Sequence, residues 1–211
     1  MTGPVQARKA RMVAGVLTAL LLAGCTQGFL PGVGESRAGT PATAATATQA
    51  PDLEAARKAA GIADCPSGGE ARPVDGGLPD LTLDCLGGGA SVNLASLRGP
   101  MLVNLWAQWC EPCRSEATYL AGFATAQEEV AVLGIDYSDP QPGLAIEFAK
   151  ETGMTYAHLM DEENTLRGPL GVTGIPYTLL IDAEGKIVAR HPGQFISLEN
   201  VQEWVDKGLR G

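Results

Sequence analysis

Cys110 and Cys113 stand in the run Trp109-Cys110-Glu111-Pro112-Cys113, separated by two residues. Two thiols at this spacing either close on each other as a redox-active disulfide or supply half of a zinc site. Zinc needs two further Cys or His ligands. The candidates are Cys65, Cys85, His158 and His191, none of them paired at short spacing, so redox chemistry is the expectation and a metal is not. That chemistry needs one thiol at a helix N-terminus, where free backbone N–H groups and the positive end of the helix dipole stabilise a thiolate. Residues Arg114–Gln127 carry Ala117, Leu120, Ala121 and Ala124 at helical spacing, which puts Cys110 at the start of a helix. Pro112 suits the first turn because it has no N–H to leave unsatisfied. Cys113, one turn further in, is then the resolving thiol.

The elements that must hold this pair are legible on both sides of it. Met101–Ala107 is an apolar run bounded by Gly99-Pro100 and reads as a buried central strand leading into the motif. Val130–Asp136 reads as a second buried strand, Gly143–Thr152 as an amphipathic helix, Thr155–Leu159 as a short strand and Glu162–Gly168 as a helical turn. Pro176–Asp182 and Lys186–Arg190 pair across a tight hairpin at Ala183–Gly185, and Leu198–Leu209 closes the chain as an amphipathic helix. Upstream, Asp52–Ile62 is a short helix capped by Asp52, Leu81–Asp84 a strand, and Val92–Leu94 a strand that runs into a helical turn at Ala95–Arg98. The order, β-α-β-α-β followed by β-β-α, predicts an α/β fold with a central mixed β-sheet flanked by helices.

Trp106-Ala-Gln-Trp109-Cys110-Glu-Pro-Cys113 together with Gly174-Ile175-Pro176-Tyr-Thr resembles the thioredoxin superfamily, and within it the membrane-anchored TlpA/ResA-like thiol-disulfide oxidoreductases, over residues 78–210. The resemblance implies a thioredoxin-like fold with an N-terminal extension and a TlpA-type insert, here Tyr137–Asp161. It implies a cis peptide before Pro176, with Ile175 and Pro176 shaping a groove for an extended substrate. It also implies that Glu116 tunes the acidity of the site. On charge alone, Glu111 and Glu116 oppose thiolate formation and make the disulfide less oxidising; the alternative is an exposed helix face with two solvated carboxylates. Asn104 stands where ordinary thioredoxins carry a buried acid that moves protons, a departure that favours the TlpA-like subgroup. Trp109 is expected to line the partner surface and Trp106 to pack in the core. His158 and His191 have no nucleophile beside them in sequence and are read as ordinary surface or strand residues.

The activity implied is disulfide exchange with exported protein thiols and disulfides, more a reductase of the cytochrome c maturation type than an oxidase, coupled to a membrane redox donor or acceptor. No cofactor is expected beyond the Cys110–Cys113 disulfide. Two other readings stay open. A thiol peroxidase of the redoxin group would need Pro-x-x-x-Thr-x-x-Cys, and Val103 and Ala107 stand where its Pro and Thr would fall. A lipoprotein that only binds a partner would have no need of an intact cysteine pair.

Residues 1–24 hold Arg8, Lys9 and Arg11 ahead of an apolar run of about 12 residues, short of the roughly 20 that a membrane span needs, and so read as a secretory signal. Leu22-Ala23-Gly24-Cys25 resembles the bacterial lipobox, which makes Cys25 the lipidation site and places the protein on the extracytoplasmic face of the cell membrane. Residues 25–51, rich in Thr, Ala, Gly and Pro, read as a flexible tether, 52–77 as the N-terminal helix and extension, and 78–211 as the main domain. Removing residues 1–24 takes away three basic and no acidic residues, so 15 basic against 24 acidic becomes 12 against 24, a net charge of −12. That balance argues against nucleic acid and against adhesion to anionic lipid head groups, leaving the lipid to hold the membrane. A monomer is expected. Of five cysteines, lipidation of Cys25 leaves four. In an oxidising compartment Cys65 and Cys85 are expected to form a structural disulfide, a regulatory second redox pair being the alternative.

Overall fold

A computed structural model of the chain describes residues 52–67, 69–70 and 72–210. All the described residues belong to one compact unit, Ala47–Gly211. The expected signal, Cys25 and the whole tether lie outside the described residues.

The elements in chain order are α1 (Leu53–Ala59), β1 (Thr82–Cys85), β2 (Val92–Asn93), a 3-10 turn at Leu94–Ser96, β3 (Met101–Trp106), α2 (Glu111–Ala126), β4 (Ala131–Tyr137), α3 (Pro142–Thr152), β5 (Ala157–Asp161), α4 (Arg167–Leu170), β6 (Tyr177–Ile181), β7 (Ile187–Pro192) and α5 (Leu198–Arg210). The strands form one mixed sheet in the order β2-β1-β5-β4-β3-β6-β7. β3 pairs in parallel with β4, and β4 in parallel with β5; the other neighbours are antiparallel. β3 and β6 are buried at every position, as central strands covered on both faces must be, whereas edge strand β7 alternates between half-buried and exposed.

The two-residue period of the strands divides the core into layers. Val103, Leu105, Leu133, Ile135, Leu179 and Ile181 pack on one face with Leu166, the N-cap of α4, and Leu170, its last residue. On the other face Trp106 packs with Cys113, Ala117 and Ala121 of α2 and with Ile146 and Phe148 of α3, and Leu102 and Leu180 pack with Phe123 of α2 and Val201 and Val205 of α5. Gly134 lies in the middle of β4 because a Cβ there would overlap His158 Nδ1 and come within 2.8 Å of Trp106 Nε1.

Asp52 caps α1, its carboxylate accepting from Ala55 N at 3.0 Å. The expected turn at Glu162–Gly168 is displaced, since helix forms only at Arg167–Leu170. The Asp161 carboxylate accepts from Thr165 N (2.7 Å) and Leu166 N (3.0 Å), holding the intervening residues in a tight turn that competes with helix. The insert 137–161 supplies α3 and all of β5, which enters the sheet between β1 and β4.

Candidate active site

β3 ends at Trp106, and Cys110 becomes the N-cap of α2, with extended backbone (φ −85°, ψ 107°). The Cys113 amide donates to Cys110 Sγ at 3.3 Å, so the first sulfur occupies the position where a capping oxygen normally accepts. Pro112 sits within the first turn and Glu111 is exposed there. Cys110 and Cys113 are joined in a disulfide with Cα atoms 5.3 Å apart. Cys110 is 5% exposed and Cys113 2%, an ordering that leaves the first sulfur the more accessible.

Cys110 Sγ lies 3.7 Å from the carbonyl oxygen of Ile175, and the Ile175–Pro176 peptide is cis. A second cis peptide, Gly99–Pro100, precedes β3 and was not anticipated. Cys110 opens onto a groove lined by three segments, 109–112, 137–138 and 164–175. Ile175 lines it, whereas Pro176 is buried and outside the lining. Trp109 is 53% exposed, and its indole Nε1 donates to the Ser138 carbonyl at 3.2 Å, tying the motif to the end of β4.

Glu116 corrects the picture of two solvated carboxylates, which holds for Glu111 alone. Glu116 is buried, and its carboxylate accepts from Asn104 Nδ2 and from Phe195 N, both at 2.9 Å. Asn104 Nδ2 also donates to Thr178 Oγ1 at 3.0 Å. Burial raises the Glu116 carboxyl to about 7, against the downward pull of those two hydrogen bonds. A buried acid is thus supplied by α2 and held by Asn104.

Asp136 was read only as the end of a strand, and Asp139 only as part of the insert Tyr137–Asp161. Asp136, 1% exposed, and Asp139, 4% exposed, lie beside the groove residues Tyr137 and Ser138. Asp139 accepts from Gln141 N at 3.0 Å just before α3, but both Asp136 oxygens and Asp139 Oδ2 have no donor among the described residues. Burial, followed by the charge of Asp139, raises Asp136 to about 8. The one sequence signal was an aspartate closing an otherwise apolar run.

His158 is wholly buried in β5, away from the surface role that had stayed open for it. Its Nδ1 accepts from Trp106 Nε1 at 3.2 Å, so the proton is on Nε2, which donates to the Met154 carbonyl at 3.1 Å. Burial lowers its pKa to about 4 and keeps the ring neutral. His191 stacks on Phe195 with ring centroids 4.1 Å apart. Cys65 and Cys85 are bonded to each other, with Cα atoms 6.0 Å apart. Among the described residues no group of three or more His, Cys, Asp or Glu side chains is placed to hold a metal.

The Redoxin family model matches residues 73–204, well over half of the chain. The chain belongs to the Redoxin family. This Redoxin-family chain is 38% identical over 109 residues to the thiol:disulfide interchange protein DsbE of Pasteurella multocida, covering 51% of itself and 56% of that protein. It is 36% identical over 118 residues to the thiol:disulfide interchange protein HelX of Rhodobacter capsulatus, covering 54% of itself and 65% of that protein. The chain spans between about half and two thirds of the length of these curated relatives. Among solved structures it is similar to a secreted thiol-disulfide isomerase from Corynebacterium glutamicum, with 26% identity, a TM-score of 0.55 and coverage of 64% of this chain and 86% of that one. The fold and the TlpA/ResA-like resemblance read from the two motifs agree with these matches.

Proposed function

We propose that the chain is a thiol-disulfide oxidoreductase that exchanges disulfides with exported proteins, acting mainly as a reductase. The observation that carries this is Cys110 at the N-cap of α2, bonded to Cys113 and opening onto a groove beside the Ile175 carbonyl. In the reductive direction the Cys110 thiolate attacks one sulfur of a substrate disulfide and expels the other as a thiolate, which takes up a proton. Cys113, deprotonated, then attacks Cys110 Sγ in the mixed disulfide and releases the second substrate thiol. The substrate gains two electrons and the Cys110–Cys113 disulfide is formed; an external dithiol, which we assign to a membrane redox donor, restores the pair. The similarity to proteins named for thiol:disulfide interchange supports this reading. A lipid on Cys25 holds the domain at the extracytoplasmic face, and Cys25→Ser is expected to move the protein from the membrane to the soluble fraction.

The test is the equilibrium reduction potential of Cys110–Cys113 in glutathione or dithiothreitol buffers, with Cys65→Ser/Cys85→Ser as control. A value near the roughly −270 mV of thioredoxin supports a reductase. One near the roughly −120 mV of the strongest periplasmic oxidant makes the chain an oxidase, and no redox transition removes the enzymatic reading. Peroxide consumption with no partner thiol would favour the peroxidase instead.

A further inference from the structure

The groove beside Cys110 contains two charged side chains, Glu111 and Arg167. Arg167 is exposed and, among the described residues, makes no ion pair, in a chain whose 24 acidic residues outnumber its 15 basic ones. Arginine in so acidic a chain has many intramolecular carboxylates to choose from. Arg98, Arg114 and Arg190 also lack ion pairs but donate to backbone carbonyls, whereas the Arg167 guanidinium has no acceptor among the described residues and faces the groove, free to pair with a group that arrives from outside. Five N–H groups in a planar fork suit a carboxylate, which can accept two of them at once.

The backbone beneath Arg167 is held firmly. Leu166 and Leu170, on either side, are buried in the core. Arg167 N donates to Asn164 O at 3.0 Å, and Arg167 O accepts from Val172 N at 3.0 Å. The Asp161 carboxylate fixes Thr165 and Leu166. Two non-glycine residues among those described have positive φ, Ser138 (57°) and Asn164 (59°), and both line this groove. A side chain in that conformation costs energy, more for serine than for asparagine, and such costs persist where surrounding structure imposes a particular wall shape. Arg167 therefore starts from a preorganised base, which reduces the ordering entropy lost on pairing.

We infer that Arg167 is a specificity determinant that favours extended substrates carrying an aspartate or glutamate close to the exchanging cysteine. This deepens the exchange reading above and rests on it. Arg167 recognises the carboxylate while Trp109 and Ile175 flank the sulfur chemistry, and Glu111 disfavours a second acid on its own side of the groove.

The experiment uses the oxidised full-length chain and three short peptides, alike except for Glu, Gln or Lys beside a single cysteine. Second-order rate constants for their reaction with the Cys110–Cys113 disulfide are divided by each peptide's rate with the uncharged hydroxyethyl disulfide, which removes differences in intrinsic thiol reactivity without adding a charge effect. In the wild type the Glu peptide is expected to outpace the Gln peptide by about threefold to fivefold, as for a partly exposed ion pair, and the advantage to shrink in high salt. Arg167→Gln is expected to bring the ratio to about one, Arg167→Lys to restore part of it, and Arg167→Glu to turn the preference towards the Lys peptide. Ratios are compared within each variant, so a general change in rate does not enter. A wild type that reacts with all three peptides equally, or a preference that survives Arg167→Glu, overturns the inference while leaving the exchange reading intact. A chain that fails to react even with dithiothreitol overturns both.

Discussion

Asp136 is buried near the end of β4 with no donor on either oxygen among the described residues, so it should keep its proton at pH values where an exposed aspartate has long lost it. Its pKa is about 8 folded and near 3.8 unfolded. A carboxyl that binds its proton more tightly when folded makes the native state less stable as pH rises between those two values. Each unit of pH in that window removes about 1.4 kcal/mol, so from pH 5 to pH 7 the folded state loses about 2.7 kcal/mol through this group. Asp136→Asn takes up no proton in either state. Glu116, raised from 4.5 to about 7, adds a slope of the same sign in the wild type. His158, lowered from 6.5 to about 4, adds the opposite one, stabilising as pH rises. Both are retained in the variant and cancel when the two proteins are subtracted. Urea unfolding of the oxidised wild type and of Asp136→Asn at pH 5, 6 and 7 should therefore show a gap that widens in the variant's favour by about 2.7 kcal/mol across the series. Water entering beside the carboxyl would reduce the figure, and a widening of about 1.4 kcal/mol still indicates a proton held by burial. A gap constant to within about 0.5 kcal/mol would mean that Asp136 is already ionised in the folded protein, and the reasoning fails.

Glu116→Gln removes a buried charge one helical turn beyond Cys113, and the apparent pKa of the Cys110 thiol should fall by roughly half to one unit in a thiolate-absorbance titration; an unchanged titration would separate Glu116 from the thiols. Gly134→Ala places a methyl group against His158 and Trp106 in the middle of the sheet, and a loss of about 3 kcal/mol or more in chemical unfolding is expected; a loss under about 1 kcal/mol would show that the His158 ring moves aside freely. Cys65→Ser/Cys85→Ser opens a link of sequence separation 20, with an expected cost of about 3 kcal/mol and an unchanged Cys110–Cys113 potential; a shifted potential would favour the regulatory role for this pair.

The strand, the cysteine motif and the helix behind it were legible because each announces itself locally: an apolar run, a fixed thiol spacing and a helical period. Glu116 was half legible. Cys113, Glu116, Ala117 and Leu120 form one helical stripe, and all four are buried, so the glutamate stood in an apolar row before any partner was known. Its partners are remote in sequence, however. Phe195 N comes from the loop before α5 and Asn104 from β3, and only the packed fold brings them together. Asp136 was less legible still, because a carboxylate closing a strand ordinarily faces water. Arg57 is another case: the fifth residue of a short, mostly exposed helix, it is buried and donates to the carbonyls of Ile62 and Ala63 and to Asp64. The positive φ of Ser138 has no sequence signal, since serine is not a residue that advertises a left-handed turn.

The Cys65–Cys85 bond bears on how the molecule carries mechanical load. Tension entering at Asp52 would, in its absence, first unwind the seven residues of α1 and then strip residues 60–81 away from the surface. The bond shortens that route, passing the pull from Cys65 directly into β1. β1 lies next to β5, three strands from the β3 that presents Cys110, and its paired strand edges resist shear. The domain can thus be hauled about by its leading end while the strand beneath the reactive sulfur stays slack.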